Sequence, residues 1–175
     1  LDQNLGRSDQ AFVRYTHDAN DPKSISSDNV TAVYQDSSGT VWIGTGDAGL
    51  NVLDPRGKDF KVFRHDANRA DSISDDRVRV IYEDSLKNLW VGTQAHLNKV
   101  DRKTGTFTRF VSETNDPSTI PYAWVASLFE DAGHVLWVGT WGGGIGKLDL
   151  FGARIPLFRA GACFSFYDDG KSTLW

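Results

Sequence analysis

The sequence contains no methionine, not even at position 1, and a single cysteine, Cys163. A translated chain needs an initiator, so the expectation is a processed chain or a fragment of a longer one. One cysteine excludes an internal disulfide and a metal site built from several thiolates. No apolar run approaches the ~18 residues of a membrane helix, so any membrane association would run through segments outside this chain. The motifs GxSxG, HExxH and the P-loop are missing, so no set for nucleophilic, zinc-hydrolytic or nucleotide chemistry is in view. An excess of basic residues is missing too. The net charge of −4 argues against a nucleic-acid partner. What remains is a globular composition, 39 % hydrophobic and 24 % charged, rich in glycine and tryptophan.

Those tryptophans are periodic. Trp42, Trp90 and Trp137 lie 48 and 47 residues apart, and each opens the same tetrapeptide: WIGT, WVGT and WVGT. Upstream stand VTAVYQD (30–36), VRVIYED (78–84) and VASLFED (125–131). Downstream follow LNVLD (50–54), LNKVD (97–101) and IGKLD (145–149), then KVF, TRF and PLF. Polar linkers also recur, THDANDPKSIS at 16–26 and HDANRADSIS at 65–74. Each unit holds four short segments rich in β-branched and aromatic residues, bounded by turn formers. Four strands in a repeat of this length predict an all-β chain of four-stranded antiparallel propeller blades. In the middle unit the strands are expected near 78–83, 88–92, 97–101 and 107–111.

The expected organisation is a partial propeller of three full blades and two half-blades. Residues 1–15 would supply the last strands of one blade. Full blades would occupy 25–63, 73–110 and 120–158, and 162–175 would begin another. Closing a ring of four from the two halves is the alternative. Trp42, Trp90 and Trp137 should pack between neighbouring blades, each buried indole contributing about 2–3 kcal/mol and needing a partner for its N–H. Gly44, Gly92 and Gly139 sit mid-strand, which marks close approach of another group. Asp36, Asp84, Asp131 and Asp169 should cap hairpin turns by accepting backbone N–H groups. Gly39 aligns with Lys87, His134 and Ser172, so the turn chemistry is expected to differ between units. His17 and His65 share a repeat position and read as solvated linker residues. No metal site is expected: ligands scattered one per blade do not converge, and Asp18, Asn20 and Asp21 lack the spacing of a calcium loop.

These residues closely resemble the two-component regulator propeller repeat, in which a V-x-x-I/L-x-E/D-D strand precedes a Gly-bearing turn and an L/V-W-I/V-G-T strand. The match runs through 25–54, 72–93 and 124–149. The resemblance implies a seven-bladed propeller, hence a fragment here. It implies a periplasmic or extracytoplasmic sensor region of a bacterial membrane receptor, preceding a histidine kinase or GGDEF output domain. It also implies a homodimer formed through the full receptor.

Core positions of a repeat recur, whereas one ligand touches each blade differently, so binding positions should vary between units. Before the first strand the units carry Asn29, Arg77 and Trp124, with Tyr122 two residues upstream of the last. In the loop between the second and third strands they carry Asp47, His96 and Trp141. Both sets should lie on one face. Arg77 could hold an anion through its fork, and Tyr122, Trp124 and Trp141 could stack on a flat group such as a sugar. The expectation is a non-catalytic ligand-sensing module without a cofactor, taking an extracellular glycan or similar small ligand. A protein–protein scaffold is the alternative, and a glycan-cleaving enzyme a more distant one: Glu83–Asp84 and Glu130–Asp131 are adjacent on strands and point to opposite faces.

Overall fold

The computed structural model describes residues 13–113, 116 and 119–151. Eleven strands and no helix occur among them. The first sheet is β1 (Val30–Gln35), β2 (Val41–Thr45), β3 (Leu50–Leu53) and β4 (Phe60–Phe63). The second is β5 (Val78–Glu83), β6 (Leu89–Thr93), β7 (Leu97–Asp101) and β8 (Thr106–Phe110). The third is β9 (Val125–Glu130), β10 (Val135–Thr140) and β11 (Gly144–Asp149). Each sheet is an antiparallel meander in chain order. The middle sheet falls within one residue of its expected bounds. The strand expected at 156–158, the half-blade at 162–175 and nearly all of 1–15 lie outside the described residues.

Register repeats with the sequence. Tyr34 pairs with Trp42, Tyr82 with Trp90 and Phe129 with Trp137. The innermost pair of strands slips by one residue near its start in all three sheets, at Val30/Ala32, Val78/Val80 and Gly139/Thr140. Such a bulge increases twist and re-aims the extra side chain.

The sheets stack through their first strands, β1 on β5 and β5 on β9. The mid-strand glycines explain the fit. A Cβ at Gly44 would stand 2.5 Å from Val78 Cγ1, and one at Gly92 would stand 2.6 Å from Val125 Cγ1. Each glycine is the hole for the first valine of the following sheet. Two apolar cores result. Trp42, Leu50, Ile73, Val78 and Ile81 fill the space between the first and second sheets. Trp90, Leu97, Val125, Leu136 and Val138 fill that between the second and third. Trp42 and Trp90 are buried, whereas Trp137 is half-buried.

The indole partners are the aspartates. Trp42 Nε1 donates to Asp36 Oδ2 (2.9 Å), Trp90 to Asp84 (2.8 Å) and Trp137 to Asp131 (2.7 Å). The other carboxylate oxygen accepts turn amides: Ser38 and Thr40, Asn88, and Gly133 and Val135. One carboxylate thus joins the hairpin cap to the core tryptophan. The expectation of differing turn chemistry is overturned. Gly39, Lys87 and His134 all adopt positive φ, at 86°, 65° and 59°. Their amides all donate to the preceding aspartate carbonyl. With so many bonds to the aspartate, the turn holds lysine or histidine in a left-handed conformation that they otherwise rarely adopt.

Candidate functional site

The linkers that lead into each first strand are tied down by their own polar residues. His17 Nδ1–H donates to Ile25 O and His65 Nδ1–H to Ile73 O, both at 2.8 Å. A carbonyl only accepts, which sets the proton on Nδ1. The backbone N–H groups of the same histidines donate to Asp28 and Asp76 at 2.7 Å. Asp18, Asp66 and Glu113 N–H groups donate to Ser24, Ser72 and Thr119 hydroxyls. The two histidines are exposed, as linker residues should be, but they close loops rather than merely meet solvent.

The linker end and the loop after the second strand meet in every sheet. Gly46 N donates to Asn29 O (2.9 Å), Gln94 N to Arg77 O (3.0 Å) and Trp141 N to Trp124 O (3.0 Å). Within each blade the two variable sets are therefore neighbours at one end of the sheet.

The side chains behave differently from blade to blade. In the first blade Asn29 packs over Gly46, where a Cβ would come within 2.5 Å of its amide nitrogen, and Asp47 is exposed. In the second, Arg77 does not present an empty fork. Its Nε and Nη2 both donate to Asp75 at 2.9 Å. Burial works to raise the Asp75 carboxyl, but the Arg77 side-chain and backbone hydrogen bonds outweigh it and hold the pKa below the ordinary value. His96 is half-buried on a loop one residue shorter than its counterparts. Burial, then the nearby charge of Arg109, lowers its imidazole pKa below the usual value. In the third blade Trp124 and Trp141 stack, with centroids 5.0 Å apart and planes 16° from parallel. Tyr122 and Trp141 remain about half exposed, at 49 % and 46 %.

One residue of this cluster escaped the sequence reading. Arg79, on the bulge of β5, places its guanidinium carbon 5.4 Å from the Trp124 ring centroid. Its Nε is buried without a hydrogen-bond partner. The signal was available: Thr31, Arg79 and Ala126 share a position in an otherwise repeating strand. The second and third blades thus jointly offer a cation, two stacked indoles and a phenol. That set can present an aromatic face to a flat or sugar-like group and favour electron-rich or anionic substituents. Among the described residues no cluster of three or more His, Cys, Asp or Glu could hold a metal ion.

Sheets of this kind, stacked through their innermost strands with Trp42 and Trp90 between them, are propeller blades. Residues 24–47 and 72–95 match the two component regulator propeller family, so the chain carries repeats of that family. Among solved structures it is similar to the extracellular domain of a one component system of Bacteroides thetaiotaomicron. Identity is 31 %, with 69 % of this chain and 16 % of that one covered and a TM-score of 0.57. It is also similar in fold to the extracellular domain of a hybrid two component system of the same organism, at 19 % identity and TM-score 0.68, covering 97 % of this chain and 31 % of that one. A protein of unknown function from Bacteroides caccae shares the fold at 11 % identity and TM-score 0.54, with 75 % and 50 % covered. The chain thus spans under a third of the first two structures. No curated protein matches it.

Proposed function

We propose that the chain is a non-catalytic sensor module, part of the extracytoplasmic propeller of a bacterial two-component receptor. Its ligand would be a glycan or similar small molecule. The family match and the 31 % identical extracellular domain support the sensor reading. The observation that carries ligand binding is the stacked Trp124–Trp141 pair with Arg79 against it, at loops whose neighbours differ from blade to blade. Packing accounts for the repeating residues, whereas nothing in the repeat requires two stacked indoles at this end of one blade. The full receptor would transmit occupancy as a homodimer.

The test is a titration of neutral and acidic oligosaccharides followed by tryptophan fluorescence. Trp141→Ala should remove most of the signal and weaken binding by about 1–3 kcal/mol, the range for a lost stacking contact. Arg79→Gln should weaken acidic ligands more than neutral ones. Arg77→Ala should have a smaller effect, because its fork is held by Asp75. Affinities unchanged by all three substitutions, or no saturable binding, would leave the protein-scaffold reading ahead.

A further inference from the structure

We infer that the second blade carries a separate site for a small, multiply charged oxyanion, a molecule bearing two or more phosphate or sulfate groups. An open cleft of about 590 Å³ lies among the β5–β6 turn, β7, the β7–β8 turn and β8. Lys87, Lys99, Arg102 and Lys103 line it, with Asp101 and Thr108. Four cations around one cleft stand out in a chain of net charge −4. Repetition does not explain them. The equivalent positions hold Gly39, Val52, Pro55 and Arg56 in the first blade, and His134, Lys147, Leu150 and Phe151 in the third.

Arg102 is committed within the protein. It pairs with Glu83 (2.6 Å) and Asp36 (3.3 Å) and donates to Lys87 O (2.7 Å). That last bond fixes the turn on which Lys87 stands. Among the described residues, none of Lys87, Lys99 and Lys103 forms an ion pair within 4.0 Å. By contrast Arg56, the first-blade counterpart of Lys103, is bonded to Asp54 at 2.9 Å. Asp101 is occupied in part by the Lys103 amide at 2.9 Å. Three lysines outside any ion pair thus line the cleft beside one carboxylate that already accepts bonds, and one of them, Lys99, holds its ammonium 5.8 Å from the Trp90 ring centroid. A single monovalent anion would leave that excess uncompensated, whereas a di- or trianion would match it. Thr108 could add a neutral donor. The cleft lies at the turns opposite the linker end, so it is distinct from the Trp124–Trp141 cluster.

The experiment is calorimetric titration of the 175-residue chain with tripolyphosphate in one arm and a polysulfated disaccharide in the other, at ~0.05 M and ~0.3 M salt. Saturable binding in either arm is expected, weaker at high salt, and the arms separate a phosphate from a sulfate ligand. The variant Lys99→Gln/Lys103→Gln should lose about tenfold in affinity, while Lys58→Gln, a lysine lost from the first blade, should lose less than about twofold. Amide shifts in wild type give a second readout that needs no variant: Asn88 and Thr108 should move, and Arg77 and Trp124 should not. No saturable binding in either arm, equal losses in the two variants, or shifts confined to the linker ends would overturn the site.

Discussion

Asn98 and Ser74 are locked together in the middle blade. The asparagine amide donates to Ser74 Oγ at 2.8 Å, and its carbonyl accepts Ser74 N at 3.0 Å. Asn51 and Ser26 repeat the pair in the first blade, at 2.8 and 2.9 Å. The third blade has Pro121 at the serine position, which lacks the N–H, and Gly146 at the asparagine position. A Cβ on Gly146 would come within 2.9 Å of Pro121 Cδ. The two positions have changed as a unit, from a polar lock to a ring fitted over a bare backbone.

Asn98 is wholly buried, and its amide also donates to Val91 O at 3.1 Å. Asn98→Ala should therefore leave buried groups unsatisfied and lower stability by about 2–3 kcal/mol. Urea unfolding followed by fluorescence measures this. A loss under about 0.5 kcal/mol, as for a surface change, would show that the lock is dispensable.

Gly92→Ala should drive a methyl group into Val125 and Val80, each 2.6 Å from the added carbon. Overpacking of this kind costs about 1–3 kcal/mol. Val125→Ala should cost stability by itself through a cavity, yet the double variant should lose less than the two single losses combined. Strict additivity in that cycle would mean that the glycine is not the valine's seat.

Acid stability carries a sign that can be worked out. Burial works to raise the carboxyls of Glu83 and Asp36. The bonds from Ser37 and the charge of Arg102 on Glu83, and those from Ser38, Trp42 and Thr40 on Asp36, outweigh it and lower both pKa values. A carboxyl depressed in the folded state stabilises above its unfolded pKa of about 4, and that contribution is lost as pH falls through the folded value. Half-buried His96 is likewise depressed, so below about pH 6.5 the unfolded chain takes up its proton first and stability falls. Unfolding free energy should decline in two stages on acidification. His96→Asn should flatten the first stage. Arg102→Gln should lower the neutral plateau and make the second stage shallower. An unchanged slope between about pH 6.5 and 5 in His96→Asn would remove the histidine from the account.

The blade was legible because its core positions recur: strands, the seats of Trp42 and Trp90 and the capping aspartates Asp36, Asp84 and Asp131 could all be read from three aligned units. The glycine seats were legible only as sites of close approach; that the visitor is Val78 or Val125 required coordinates. The turn at Lys87 and His134 was misread because residue type was taken to set the backbone, whereas the aspartate bonds set it. Of the site, the meeting of linker and loop followed from topology. The occupation of Arg77 by Asp75 did not, since two residues of opposite charge two apart on a linker need not touch. Arg79 was missed because a bulge re-aims a side chain, and alternation along a strand does not foretell one.

The contacts between blades have a further consequence. Glu83 accepts the Ser37 amide of the blade before it at 2.8 Å, and Glu130 accepts that of Ser85 at 2.6 Å. Val78 and Val125 reach backward in the same direction. Among the described residues each unit is fastened to its immediate neighbours, through partners about one repeat away in the chain. Such an array behaves as links in a row rather than as one block. Damage to one seam should loosen two adjoining units and leave a remote one intact, so the assembly can fray from an end while its middle stays folded.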